Sequence, residues 1–162
     1  MNHAMLQRIV EEVAARLRHR ALSTATLSVA QLGEADIRSL LCQHASLRIV
    51  QVDLPLLEQL AGQRALAAAG CALHEAMAWG VRVQLTLLPA LLPALAVKKL
   101  ARLPLTFSDP LGQPVRLHAA SVLTYADVAR FSGGYLVLRR RPIITALARE
   151  AAVAHVQLIK QE

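Results

Sequence analysis

The sequence predicts an α/β sandwich with a largely parallel sheet, preceded by an amphipathic helix at the N-terminus. A helical stripe of apolar residues covers the first segment, and strand-like and helix-like segments then alternate to the end of the chain, as in α/β folds. Apolar residues make up 55% of the 162 positions, whereas aromatic residues make up 3%. The core of one domain is therefore expected to consist of Leu, Ala, Val and Ile.

The N-terminal helix is predicted over residues 6–18. Its apolar residues fall at i, i+3, i+4, i+7 and i+11, which places them on one face. They are Leu6, Ile9, Val10, Val13 and Leu17. Charged residues fill the other faces, and Glu12 and Arg16 form an i, i+4 pair in the favourable order. We expect residues 1–20 to form this helix and residues 21–162 to form a single α/β domain.

The segment that follows the helix is small, hydroxylated and β-branched. Residues 21–28 are compatible with a linker, a strand, or a linker that runs into a strand, and residues 26–29 are the preferred strand. Gly33 is expected to break the chain. Asp36 is expected to cap a short helix that ends near Gln43.

The middle of the chain alternates between strands and helices. Strands are predicted over 47–52 and 81–87, helices over 54–60 and 64–79, and a helical turn over 98–103. Gly80 should end the second helix. Residues 83–97 carry no charge, but this stretch is shorter than the ~18 residues that span a bilayer, and Pro89 and Pro93 interrupt it. No membrane span is predicted, and a buried strand should lead into a proline-broken segment.

The last third begins with a hairpin around the turn residues 108–112. Two capped helices are expected: Thr124 with Asp127 should form a capping box, and Thr145 should cap the last helix. Gly133 and Gly134 should stop the first of these helices. The remaining elements are hairpin strands at 105–107 and 115–117, helices at 124–131 and 146–154, and strands at 135–138, 143–144 and 156–160.

The sequence contains no signature of a catalytic or nucleotide site. It lacks G-x-G-x-x-G, the P-loop and the G-x-S-x-G elbow, and no pair of carboxylates is placed for acid–base work. Cys42, His44, Cys71 and His74 could supply four zinc ligands, but their spacing matches no standard zinc motif. Buried structural cysteines and ordinary histidines are favoured. The sequence therefore predicts no enzyme, no cofactor and no metal.

The chain is basic, with a formal net charge of +7. Nucleic-acid grooves usually combine such charge with stacking aromatic residues, which are not interleaved with the basic clusters here. We therefore expect no nucleic-acid partner, and either a solvated face or a contact with an acidic protein. The clusters are Arg16, Arg18 and Arg20; Lys98, Lys99 and Arg102; and Arg139, Arg140 and Arg141.

The N-terminal helix has two interpretations that the residues support equally. It could pack on its own domain, or it could act as an arm that lays its apolar stripe in a groove of a partner protein. The change of composition after residue 20 is compatible with an arm.

Several stretches, spread over nearly the whole chain, resemble the PduM family. They are LQRIVEEVAARLRHRALSTATLSVAQL, CQHASLRI, VKKLARLPLTFSD and the ending ARE-AA followed by VQLIKQE. The resemblance implies a structural, non-enzymatic component of the propanediol-utilisation bacterial microcompartment in the cytoplasm. It would help to form the shell or link shell and enzyme core, so shell or cargo proteins are the expected partners. The alternative is a flavin- or nucleotide-binding protein of the same compartment.

Two further resemblances refine this expectation. The first helix is similar to the encapsulation helices of microcompartment cargo, which makes Leu6, Ile9, Val10, Val13 and Leu17 the candidate partner-binding residues and favours the arm. The tail from residue 143 to 160 is similar to the end of flavoprotein-like microcompartment domains, which implies a three-layer Rossmann-like sandwich. It does not imply a flavin, because no phosphate-cradling loop is present. No oligomeric state is predicted.

Overall fold

The computed structural model describes residues 2–162, and its elements alternate along the chain. The helices are α1 (His3–Leu22), α2 (Val29–Glu34), α3 (Ile37–Gln43), α4 (Leu54–Leu60), α5 (Ala68–Ala78), a 3-10 helix (Pro89–Ala94), α6 (Val97–Leu100), α7 (Tyr125–Ala129) and α8 (Ala146–His155). The strands are β1 (Thr24–Ser28), β2 (Ser46–Val50), β3 (Arg82–Thr86), β4 (Leu105–Ser108), β5 (Pro114–His118), β6 (Val122–Leu123), β7 (Gly134–Leu138), β8 (Ile143–Ile144) and β9 (Val156–Lys160).

Seven strands form one sheet in the order β1-β2-β3-β4-β5-β7-β9. Neighbours are parallel except β4 and β5, which form the hairpin expected from the sequence. Strands β1 to β4 therefore run one way, and β5, β7 and β9 run the other way. The short strands β6 and β8 pair in parallel as a separate ribbon.

The reversal of strand direction distributes the helices over both faces of the sheet. Connections from one strand through a helix to a parallel strand are right-handed. Helices that connect successive parallel strands therefore lie on one face of the sheet, and they change to the other face where the strand direction reverses. Accordingly α2 to α6 contribute to one apolar cluster, and α7 and α8 contribute to a second. In β7 the side chain of Val137 joins the first cluster, whereas Leu136 and Leu138 join the second. Alternate residues face opposite sides of a strand, so helices pack on both faces of the sheet at β7, and the predicted α/β sandwich with a largely parallel sheet is confirmed.

The other face of β1 to β4 is polar. Thr26, Arg48, Gln84 and Thr106 lie side by side across the four strands. Three of these side chains are exposed and Gln84 is half-buried. The first four strands thus form a two-layer region, and three layers are complete only around β7 and β9.

Local sequence signals explain most of the element boundaries. Gly80 adopts a φ of 72° directly after α5, as expected of a glycine that ends a helix. Helix α5 begins at Ala68 rather than at residue 64. Within it, Gly70 packs against Gln59 of α4, and a Cβ added at Gly70 would lie 2.5 Å from Oε1 of Gln59. The expectation that Gly33 breaks the chain was wrong, because Gly33 lies inside α2, which Ser28 and Gln31 begin with a capping box.

The uncharged stretch at residues 83–97 forms β3 and the proline-containing 3-10 helix, as predicted. Leu92 and Leu95 are fully buried there and join the first apolar cluster. Among residues 2–162, no helix is both long enough and apolar enough to cross a membrane.

Candidate docking surface

Helix α1 projects from the α/β domain without joining its core. It has 20 residues, which corresponds to a length of about 30 Å. None of these residues is buried, and none belongs to either apolar cluster. The stripe of α1 is therefore not covered by the described part of the chain.

The five apolar residues singled out from the sequence lie on one face of α1 and are all exposed. Their exposed fractions range from 44% for Ile9 to 58% for Leu17, with Leu6, Val10 and Val13 between these values. Met5, 59% exposed, extends the surface toward the N-terminus. We call Leu6, Ile9, Val10, Val13 and Leu17 the apolar stripe.

Polar interactions stabilise the two flanks of the apolar stripe on α1. Arg16 and Glu12 form an ion pair at 2.6 Å, and the Gln7 amide donates to Glu11 at 3.4 Å. Asn2 begins the helix by accepting a hydrogen bond from the Ala4 amide. Most helices in proteins are stabilised mainly by the packing of an apolar face, which α1 lacks within residues 2–162, so these pairs and the cap contribute directly to helix formation.

The last turn of α1 is fixed to the domain by hydrogen bonds. Arg20 Nε donates to the carbonyl of Leu41 at 2.9 Å, and Arg82 Nη2 donates to the carbonyl of Ala21 at 3.4 Å. Ser23 Oγ lies 2.6 Å from Nδ1 of His44. The partners belong to β3 and to α3 with its C-terminal cap His44, so two elements of the domain hold the base of α1.

The connection between α1 and the sheet is short. The helix ends at Leu22 and β1 begins at Thr24, so only Ser23 lies between them. Residues 21–28 thus form the end of a helix and a strand rather than a flexible linker, and the helix runs two residues past the boundary expected at residue 20. The one-residue connection and the hydrogen bonds at the base of α1 thus fix the direction in which the apolar stripe leaves the domain.

The cysteine and histidine pairs do not form a ligand cluster. Within residues 2–162, no group of three or more His, Cys, Asp or Glu side chains is placed to hold a metal. His44 instead bonds to Ser23. The expectation of buried cysteines was wrong: Cys42 and Cys71 are free and exposed, because each lies on the outward side of a short helix.

An α/β domain that carries a projecting, uncovered amphipathic helix is typical of proteins that act by binding other proteins. Comparison with known sequences identifies the family of the chain. The chain belongs to the family described as putative propanediol utilisation (PDU_like), which matches residues 8–156.

Two curated relatives match over their whole length and that of this chain. One, from Salmonella typhimurium strain LT2, is 59% identical over 163 residues, and the other, from Citrobacter freundii, is 56% identical over 163 residues. Both are named bacterial microcompartment assembly protein PduM. No solved structure matches the chain.

Proposed function

We propose that this protein is a non-catalytic assembly protein of the propanediol-utilisation bacterial microcompartment, located in that compartment in the cytoplasm. The names of two full-length relatives at 59% and 56% identity support this function. Those names describe assembly, which favours this function over the binding of a flavin or nucleotide.

The apolar stripe is the surface by which the protein would dock on a shell or cargo protein. The observation that carries this part of the proposal is that all five side chains of the stripe are exposed although they are aliphatic. Full burial of such side chains contributes up to about 1.5–3 kcal/mol each before the costs of association. Because about half of each side chain is already covered, the net gain suits a reversible contact.

The fixed base of α1 should strengthen this contact. A helix that forms only on binding must lose conformational entropy at that moment, whereas a pre-formed helix has already done so. The net charge of +7 would in addition steer the protein toward acidic partners.

The test compares two double variants in cells that produce the compartment. In the first, Val10→Asp and Val13→Asp place two charges in the apolar stripe. In the control, Ala4→Asp and Ala15→Asp place two charges at exposed positions on the opposite face of the same helix. We expect the stripe variant to be lost from purified compartments and the control to remain. Equal recovery of both variants would show that the stripe is not the docking surface.

A further inference from the structure

A second surface brings together two basic clusters that are distant in the sequence. Lys98 and Lys99 belong to α6, whereas Arg139, Arg140 and Arg141 follow β7. All five line one open cavity of about 700 Å³. We call this cavity the basic basin; its lining is completed by Gln63, Ala96 and Gln161.

Within residues 2–162, four of the five basic side chains of the basic basin form no ion pair: Lys98, Lys99, Arg139 and Arg141. Arg140 is engaged within the chain, because it donates from Nε and Nη2 to the main-chain oxygen of Glu162. Lys98, Lys99 and Arg141 are exposed. Like charges held this close repel one another, and an anion in the basin would relieve that repulsion.

Arg139 and Arg141 each have one unusual feature. Nε of Arg139 is buried and has no hydrogen-bond partner, whereas buried donors in folded proteins nearly always have one. Arg141 adopts a φ of 55°, a left-handed conformation that is uncommon for a residue with a Cβ and is concentrated at binding sites. Arg139 lines the basin although its Nε is buried, so an anion would contact the rest of its guanidinium group.

We propose that the basic basin binds a carboxylate-rich segment of a partner protein, an inference that rests on the proposed assembly function. Arginine binds carboxylates through two parallel hydrogen bonds, which gives both strength and orientation. The amides of Gln63 and Gln161 can each donate and accept, so they match the main chain of a bound peptide. The basin would thus provide a charged contact separate from the apolar stripe.

The experiment uses the full-length protein and a fluorescein-labelled hexaglutamate peptide, followed by fluorescence anisotropy. We expect binding that weakens steeply as salt is added, because exposed charges are screened. The variant Lys98→Gln/Lys99→Gln should bind about tenfold more weakly, since two exposed ion pairs would be lost. The control Arg130→Gln/Arg149→Gln removes the same charge from exposed positions outside the basin, and it should bind like the unmodified protein.

The outcomes separate this proposal from the docking role of α1. The stripe variant Val10→Asp/Val13→Asp should bind hexaglutamate as the unmodified protein does, because the stripe lies outside the basin. The peptide assay therefore tests the basin whether or not the stripe of α1 is a docking surface. Equal binding of a hexaglutamine peptide, or equal loss in both charge variants, would overturn the basin proposal. Binding of pyrophosphate without any binding of hexaglutamate would also overturn it, in favour of a small phosphate ligand.

Discussion

Nε of Arg20 lies 2.9 Å from the carbonyl oxygen of Leu41 and donates a hydrogen bond to it. Leu41 belongs to the last turn of α3, where carbonyl groups have no partner within the helix. One side chain of α1 therefore satisfies a free group of the domain and fixes the direction in which the projecting helix leaves it.

Replacing Arg20 by Ala should loosen the base of α1 without unfolding the domain. The loss of one hydrogen bond from a charged donor is expected to lower the free energy of unfolding by about 1–2 kcal/mol, measured by urea denaturation. Trypsin should also cleave within the last turns of α1 more rapidly, because local opening becomes easier. Arg18→Ala is the control, since Arg18 is exposed; the same loss of stability in both variants would contradict the role of Arg20.

Gly134 is predicted to be required for the pairing of β5 with β7. Its φ is 97°, and an added Cβ would lie 2.2 Å from the carbonyl oxygen of Pro114. Gly134→Ala should therefore destabilise the protein by at least about 2 kcal/mol, because the main chain of β5 must move.

Gly112 provides the matched comparison for Gly134. Its φ is 84°, but an added Cβ would have no neighbour within 4 Å. Gly112→Ala should lower the free energy of unfolding by only about 1–2 kcal/mol, which is the cost of a left-handed backbone conformation for a residue with a Cβ. If thermal or urea unfolding gives Gly134→Ala no larger loss than Gly112→Ala, the close approach of β7 to Pro114 is not a determinant of stability.

Stability in acid should depend on Asp127 at the start of α7. Its carboxylate accepts hydrogen bonds from the amide and the hydroxyl of Thr124, at 2.9 and 2.8 Å. These bonds, with smaller contributions from His118 and Arg130, hold the pKa of Asp127 below its ordinary value of 3.8. Because the pKa of Asp127 is lower in the folded than in the unfolded protein, its charge stabilises the folded state at a pH above the unfolded-state pKa. This stabilisation is lost as the pH falls through the folded-state pKa.

The Asp127→Asn variant should therefore be less stable than the unmodified protein at pH 7, and the difference should shrink as the pH falls below about 4. Urea denaturation at pH 7, 4 and 3 measures this trend. Asp36→Asn is the control, because Asp36 precedes α3 without a capping hydrogen bond from its side chain. A constant difference between Asp127→Asn and the unmodified protein at all three pH values would argue against the capping role of the charge.

The sequence predicted the elements whose signals are local. The capped helix after Thr145, the turn at residues 108–112 and the stripe of α1 follow from side-chain periodicity and turn residues within one segment, and the structure has them. Helix α2 was missed because Gly33, a poor helix former, lies inside it and the capping box of Ser28 outweighs that preference. Strand β6, which has two residues, was also missed.

The features that depend on tertiary structure could not be predicted. The basic basin joins Lys98 and Lys99 to Arg139–Arg141 across about forty residues of chain, and no periodicity connects them. The exposure of Cys42 and Cys71 likewise depends on which side of each short helix faces the sheet. For α1, the sequence supplied the stripe, but only the structure shows that no part of residues 2–162 buries it.

The most direct test of the account places a photo-crosslinking amino acid at single positions of α1 in assembled compartments. At Val13, within the apolar stripe, irradiation should join the protein to a specific shell or cargo protein, which mass spectrometry would identify. At Ala15, on the opposite face, the yield should be much lower. Equal yields at both positions, or products confined to this chain, would contradict the claim that the protein works by docking the stripe of α1 on a partner.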